Sequence, residues 1–299
     1  MYDGNMGNGT ISFAGKIKCL QKCANVNFLN FSIEPKTWMI FAVMTVFAMW
    51  NLSGVLEYSA EAGIRCTPWI YPHFFSMPVM WLVYGFLTIA LFSDAPFHSS
   101  FSDFMQIRMG KRTWLFGQYL FILEASLCYS MAYFLLSIII MLPRIIVINK
   151  WGKLIETFAY NTEAAGHLTG IYFMAGILEK YSPAEATLLM ILIVWLVSCF
   201  LGMLILACRI LFGGNTGSAA AGCLVFLSYF CVYIGSMVFG NKIYKFSPVS
   251  WINIAAFQGK NGYPDLVYAV SFLLLGIAAC SVLGSIFYEK RDMVQGELK

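Results

Sequence analysis

Six long apolar runs, almost free of charge, constrain this chain more than any other feature. They are Trp38–Leu56, Phe74–Phe92, Trp114–Leu142, Ala186–Cys208, Ala219–Phe239 and Leu266–Tyr288. Each approaches or exceeds the roughly 20 residues a helix needs to cross about 30 Å of hydrocarbon. A backbone in lipid must satisfy its N–H and C=O groups internally, which leaves helices or closed barrels. Alternating ten-residue strand patterns are missing, so helices follow. The fold class expected is therefore all-α: a polytopic membrane protein with about six transmembrane helices. Composition agrees, with 60% hydrophobic and only 11% charged residues. A soluble domain carries about 25% charged residues, and a chain this apolar needs lipid to face its outer side chains. The parts expected are a cytoplasmic N-terminal segment at 1–36, a six-span domain at 37–288 and a cytoplasmic tail at 289–299.

Lys and Arg placement sets the expected orientation. With both termini inside, 11 basic residues fall on the cytoplasmic side and 8 outside. Lys111, Arg112, Arg209, Lys290 and Arg291 abut span ends, where the bias acts most strongly. The first apolar run begins near Thr37, too far in and too long for a cleavable signal's apolar core. The location expected is a membrane, crossed several times with both termini in the cytoplasm. No basic block points to a nucleic acid, so membrane lipid and other proteins are the partners to expect. Of the nine cysteines, only Cys66 lies in an expected external loop, so no external disulfide framework is expected.

Local signals mark helix boundaries. Ser182-Pro183-Ala184-Glu185 reads as an N-cap, a first-turn proline and a capping acid. Arg209 ends the fourth span, Gly213-Gly214-Asn215 turns the chain, Asp265 opens the sixth span and Glu289-Lys290-Arg291 closes it. Ile17, Leu20 and Ala24 with Lys18, Gln21 and Lys22 between them predict a basic amphipathic helix on the cytoplasmic surface. The asparagines at 25, 27 and 30 blur its end. In the long third-to-fourth-span loop, Trp151, Leu154, Ile155 and Phe158 have helical spacing, as do Ile171, Met174, Ala175 and Leu178. Asn241–Pro264 is either a re-entrant element or a surface turn followed by an interfacial helix.

Enzyme signatures are missing. His73, His98 and His167 are far apart, and no HExxH, Gly-x-Ser-x-Gly or GxxxxGK[ST] occurs. The chain is not expected to hydrolyse ATP itself, nor to carry a cofactor or metal. The segment between spans two and three says more. Ser100 and Asp103 form a Ser-x-x-Asp cap, Phe97, Phe101, Phe104 and Ile107 fall near one helical face, and Gly110 breaks the helix before Lys111 and Arg112. A short cytoplasmic helix with exposed aromatics suits docking into a partner's groove. It also suits a membrane surface, with the phenylalanines entering lipid.

Ser93-Asp94-Ala95-Pro96-Phe97 and the run from Ile107 to Gln118 resemble the cytoplasmic loop of ABC-2-type transporter permeases of Firmicutes. Trp151-Gly152-Lys153 and Phe246-Ser247-Pro248-Val249-Ser250-Trp251 resemble that group too. The resemblance implies a membrane-spanning permease subunit, an exporter of a peptide or amphipathic substrate working by alternating access. It implies a separate ATPase subunit that holds ATP and Mg, and a second permease chain, identical or homologous. It also implies a coupling helix within Asp94–Arg112, with Phe97, Phe101, Phe104, Ile107 and Arg108 at the docking surface. The long third-to-fourth-span loop departs from the shortest such exporters, so no substrate is carried over. The competing expectation is a non-transporting immunity or sensor subunit that binds a peptide at its external loops.

Two features lie inside the spans. Glu124 is an acid about 18 Å beyond Arg112. It is either a pathway residue or a carboxyl bonded to Ser126, Ser130 or a neighbouring helix. Gly276, Cys280 and Gly284 form a small-residue stripe for close helix packing, internal or between subunits.

Overall fold

The computed structural model describes residues 13–97, 102–166, 170–257 and 262–297. Apolar sequence builds long helices wherever proline and glycine do not intervene. The helices are α1 (Phe13–Ile33), α2 (Pro35–Glu61), α3 (Pro78–Phe92), α4 (Ser102–Met109), α5 (Lys111–Met141), α6 (Lys153–Tyr160), α7 (Thr162–Ala165), α8 (Ala175–Lys180), α9 (Pro183–Phe212), α10 (Thr216–Phe230), α11 (Ser236–Phe239) and α12 (Leu266–Glu297). A π-helical turn, Cys231–Gly235, joins α10 to α11. Among the described residues five helical stretches are long and apolar enough to cross a membrane. They contain no β-strand, only one bridge between Cys66 and Ile145.

The start of α9 follows its sequence signal. Ser182 Oγ accepts from the Glu185 N–H, and Glu185 Oε2 accepts from the Ser182 N–H at 2.9 Å, with Pro183 as the first helical residue. The second apolar run differs from expectation. Its helix begins at Pro78 rather than Phe74 and has 15 residues, preceded by a 3-10 turn at Tyr71–His73. Pro72 and Pro78 each fit a helix start and not a helix interior, because proline lacks an N–H and clashes with the preceding turn. At the other end, α12 runs through Glu289-Lys290-Arg291 to Glu297. Those charges end an apolar stretch, but nothing in them ends a helix.

α9 is the central post, packed against α3, α5, α10 and α12. Between lipid-exposed helices there is little hydrophobic drive, so close packing and hydrogen bonds hold the bundle together. Small residues allow it. A Cβ on Gly217 would lie 2.2 Å from the Ile205 carbonyl oxygen, and one on Gly202 would lie 2.7 Å from Ile122 Cγ2. The interior is filled by aromatic rings. Tyr84 stacks on Tyr129 at 5.3 Å and meets Tyr133 at 5.4 Å and Phe75 at 5.2 Å. The Tyr84 hydroxyl bonds the Ser198 hydroxyl and donates to the Val194 carbonyl at 3.0 Å, so α3 is tied to the middle of α9. α12 presents little of its surface to the rest of the chain, with Phe272, Leu275 and Val282 among its exposed side chains.

α1 continues past its asparagines to Ile33, so the expected blurring does not occur. Its buried or half-buried face runs Leu20, Cys23, Ala24, Asn27, Phe28 and Phe31 at helical spacing. This face lies on α5, where a Cβ at Gly117 would come within 2.6 Å of Cys23 Sγ. The face that the helix turns inward covers protein, while Leu29 and Ile33 on the other side are exposed.

The loops at the end of the bundle away from α1 form one cap. The Thr67 hydroxyl donates to the Trp151 carbonyl at 2.6 Å, Trp69 Nε1 to the Ile148 carbonyl at 2.7 Å and Lys180 Nζ to the Phe257 carbonyl at 2.7 Å. Leu154, Ile155 and Phe158 are buried as their spacing predicts. Pro248–Ile252 is a buried 3-10 turn wedged among α3, α9 and α10, with Ser247 Oγ donating to the Ser228 carbonyl at 3.1 Å. Ser228 lies about 18 Å along α10 from Thr216. Non-helical backbone at such a depth is tolerated when protein surrounds it.

Gly217→Ala should destabilise the protein by about 1–3 kcal/mol, because the Ile205 backbone cannot move aside as a side chain could. Gly222→Ala, whose Cβ meets nothing within 4 Å, should be neutral. Thermal unfolding midpoints of the two variants in detergent check this.

Candidate functional site

The end of α3 leaves carbonyls with no helical partner, and three other helices send side chains to the segment that follows. Arg209 Nη1, in the last turn of α9, donates to the Ser93 carbonyl at 2.8 Å and the Ala95 carbonyl at 3.1 Å. Lys36 Nζ, in the first turn of α2, lies 2.6 Å from Ser93 Oγ and 2.5 Å from Asp94 Oδ2. Gln118 of α5 accepts the Phe97 N–H at 3.0 Å through Oε1 and donates Nε2–H to the Phe97 carbonyl at 3.4 Å. The 93–97 elbow is thus clamped to α2, α5 and α9 together.

α4 begins at Ser102, five residues beyond the last residue of this elbow. It ends at Gly110, whose φ of +84° is in the left-handed region that glycine reaches without a Cβ clash. The Gly110 N–H donates to the Gln106 carbonyl at 3.0 Å, and its own carbonyl accepts from Trp114 N–H at 3.1 Å, so one residue joins α4 to α5. Phe104 (63% exposed) and Ile107 (85% exposed) point away from the protein, with Arg108 exposed beside them. Spaced i, i+3 and i+4, the three share one face. On another side Gln106 Oε1 accepts the Tyr288 hydroxyl at 3.4 Å, which ties α4 to α12.

The structure thus brings Phe104, Ile107 and Arg108 together and separates Phe97 from them. Phe97 is half-buried, its ring edge-on to Phe121 at 4.8 Å and Phe92 at 6.5 Å. Phe97 departs from the expected docking face because the elbow turns its ring inward before α4 begins. Phe101 and Ser100 lie outside the described residues. Glu124 is half-buried and accepts from Gln21 Nε2 of α1 at 2.9 Å, a bond to a neighbouring helix. The Gly276, Cys280 and Gly284 stripe faces the chain's own helices. A Cβ on Gly276 would lie 2.6 Å from the Phe200 ring and one on Gly284 2.8 Å from the Tyr119 hydroxyl, with Cys280 half-buried between. Arg209 and Gln118 carried no signal of their role, since each bonds a backbone distant in sequence.

In the cap, His73 is buried between Phe173 at 4.9 Å and Trp151 at 5.5 Å. Its Nδ1 accepts the Met174 N–H at 3.2 Å, which puts the neutral ring's proton on Nε2. Burial drives its pKa down to about 3. Among the described residues no cluster of His, Cys, Asp or Glu could hold a metal ion, and all nine cysteines are free thiols. No protein-family model, curated protein or solved structure matches the chain.

Two outcomes follow from this geometry. Arg209→Met should leave the Ser93 and Ala95 carbonyls without their donor, a loss of about 1–3 kcal/mol. It should be read as faster amide hydrogen exchange at Ala95 and Phe97. Because the folded state holds His73 neutral, its contribution to cap stability is complete above the unfolded pKa of 6.5 and is lost as pH falls toward about 3. The protection factor of the Met174 amide, its exchange rate relative to that of an unstructured peptide at the same pH, should therefore fall with acid in the native protein, and less so in His73→Gln.

Proposed function

We propose that the chain is the membrane-spanning permease subunit of an ATP-driven transporter of the ABC-2 type. In this reading it crosses a bacterial cell membrane six times with both termini in the cytoplasm. α3 is the short second span, and the cap lies outside. Two such chains, identical or homologous, form the transport path above two ATPase subunits, which hold the ATP and Mg. The cargo is a peptide or amphipathic molecule, exported by alternating access.

The observation that carries the reading is α4, which presents Phe104, Ile107 and Arg108 outward while its root is clamped by Arg209, Lys36 and Gln118. A helix seated in an ATPase groove would move its root, and a root held by three helices would move them too. ATP can drive that motion only by binding the two states unequally. The interior, filled by Tyr84, Tyr129 and Tyr133, favours a path between chains over one through a single bundle.

The folded cap favours a second reading, a sensor subunit that binds a peptide there without transporting it. Replacing residues 143–182 by a short linker separates the two, because a sensor would lose ligand protection with the partner's ATPase activity unaffected.

The direct test is the double variant Phe104→Asp/Ile107→Asp. Both side chains are exposed, so folding should be unchanged. Tagged protein drawn from its native membrane should lose a co-purifying phosphate-loop ATPase by about tenfold or more, equivalent to about 1.4 kcal/mol, and transport should fall with it. A partner retained at the native level, with transport intact, would sink the coupling role.

A further inference from the structure

Beside the elbow is a polar cavity of about 180 Å³, lined by Asn27 and Asn30 of α1, Glu34, Asp94, Arg209 and Phe31 among others. Asn27 is only 3% exposed, and its amide nitrogen has no hydrogen-bond partner among the described residues. A buried donor left unpaired is costly, so the cavity asks for an acceptor. The Glu34 carboxylate makes no ion pair among the described residues, whereas Asp94 is matched by Lys36. Arg209 spends one nitrogen on two neutral carbonyls, which leaves its charge uncompensated at the cavity. The lining thus offers amide and guanidinium donors together with one unmatched carboxylate. It would complement a ligand carrying both an anionic acceptor and a cationic donor.

Phe31 is also a wall of a second space, an apolar groove of about 310 Å³ between α1, α2 and α5 whose lining includes Phe28, Thr37, Trp38, Phe41 and Cys128. The groove opens onto the outer face of α2, where Trp38, Met39, Val43 and Val46 are exposed. In a helix this apolar such a face meets hydrocarbon. A polar pocket and an apolar slot that share one aromatic wall match the two halves of an amphiphile.

We infer that the cavity and groove together bind one phospholipid with an ethanolamine-type headgroup. Its phosphate accepts from Asn27 and Arg209, its ammonium meets Glu34, and one acyl chain lies along Phe28, Phe31 and Phe41. Anionic headgroups without an amine would meet the unmatched Glu34 carboxylate unfavourably. A choline headgroup has no N–H to donate. The inference requires a membrane and does not require that the chain transport anything.

The test is native mass spectrometry of the full-length chain in detergent, titrated with dioleoyl phosphatidylethanolamine, dioleoyl phosphatidylglycerol and free phosphoethanolamine. The expected result is one tightly held phosphatidylethanolamine, preferred over phosphatidylglycerol by about tenfold, the scale of one charge-assisted hydrogen bond. Glu34→Gln, at an exposed position, should bring the preference to about twofold or less by the same reasoning. Cys128→Trp, also at an exposed position, should fill the groove and abolish the adduct, with circular dichroism confirming an intact helical fold. Free phosphoethanolamine should neither bind nor compete. Equal retention of both lipids by the native chain, an unchanged preference in Glu34→Gln or full competition by phosphoethanolamine would each overturn the inference.

Discussion

Helices end, and where they end in a membrane protein their carbonyls must find donors. At the α3–α4 break Arg209 meets that need, and much of the remaining structure depends on how it does so. Its side chain comes from the last turn of the most enclosed helix in the bundle, and it takes two carbonyls at once. The central post and the end of α3 are therefore a single unit. Lys36 and Gln118 extend that unit to α2 and α5 from opposite sides of the same five residues. None of these bonds is strong alone, at about 1–3 kcal/mol for a charged donor. They act on one short segment, so displacing it strains all of them together.

The same economy governs the bundle's middle. With lipid outside, burying an apolar side chain gains little, and specificity comes from shape and from polar groups that have no other partner. Tyr84 illustrates both. Its ring fills space against Tyr129, Tyr133 and Phe75, and its hydroxyl reaches Ser198 and the Val194 carbonyl. Gly217 and Gly276 set distances between neighbouring helices by having nothing to interpose.

How much of this was legible in the sequence varies with the range of the interaction. Hydropathy identified the long helices because solvent, not tertiary contact, dictates them. Ser182–Glu185 and Gly110 were legible because capping and left-handed backbone are local chemistry. The start of α3 was misplaced by four residues because apolar content masked the meaning of Pro72 and Pro78. The extension of α12 beyond Tyr288 was missed because charge stops a membrane span without stopping a helix. Most of the candidate site was not legible. Arg209 and Ser93 are 116 residues apart, and Gln118 bonds Phe97 across 21 residues, from the span that follows. No periodicity encodes such pairings. The inward turn of Phe97 had the same origin, since helical spacing extrapolated back from α4 ignores the elbow that precedes it.

The clamped elbow has its counterpart in the helices least enclosed by the rest of the chain. α10 and α12 expose long apolar faces, among them Phe226, Leu227, Phe272 and Leu275. α10 also gives way to a π-helical turn at Cys231–Gly235, packed against the 3-10 turn at Asn241–Phe246. A π turn carries a looser backbone ladder than the helix around it and is common where function needs a local change. A displacement imposed on the elbow would pass directly to α2, α5 and α9. It would reach α10 through the Gly213–Asn215 turn, through the Thr216 hydroxyl, which donates to the Cys208 carbonyl at 3.2 Å, and through packing at Gly217 on Ile205 and Gly85 on Val225. Rigid coupling thus lies at the end of the bundle that holds α4, and the discontinuity in α10 lies toward the cap. A motion begun at α4 would travel intact through the post and find its freedom at the far end of α10.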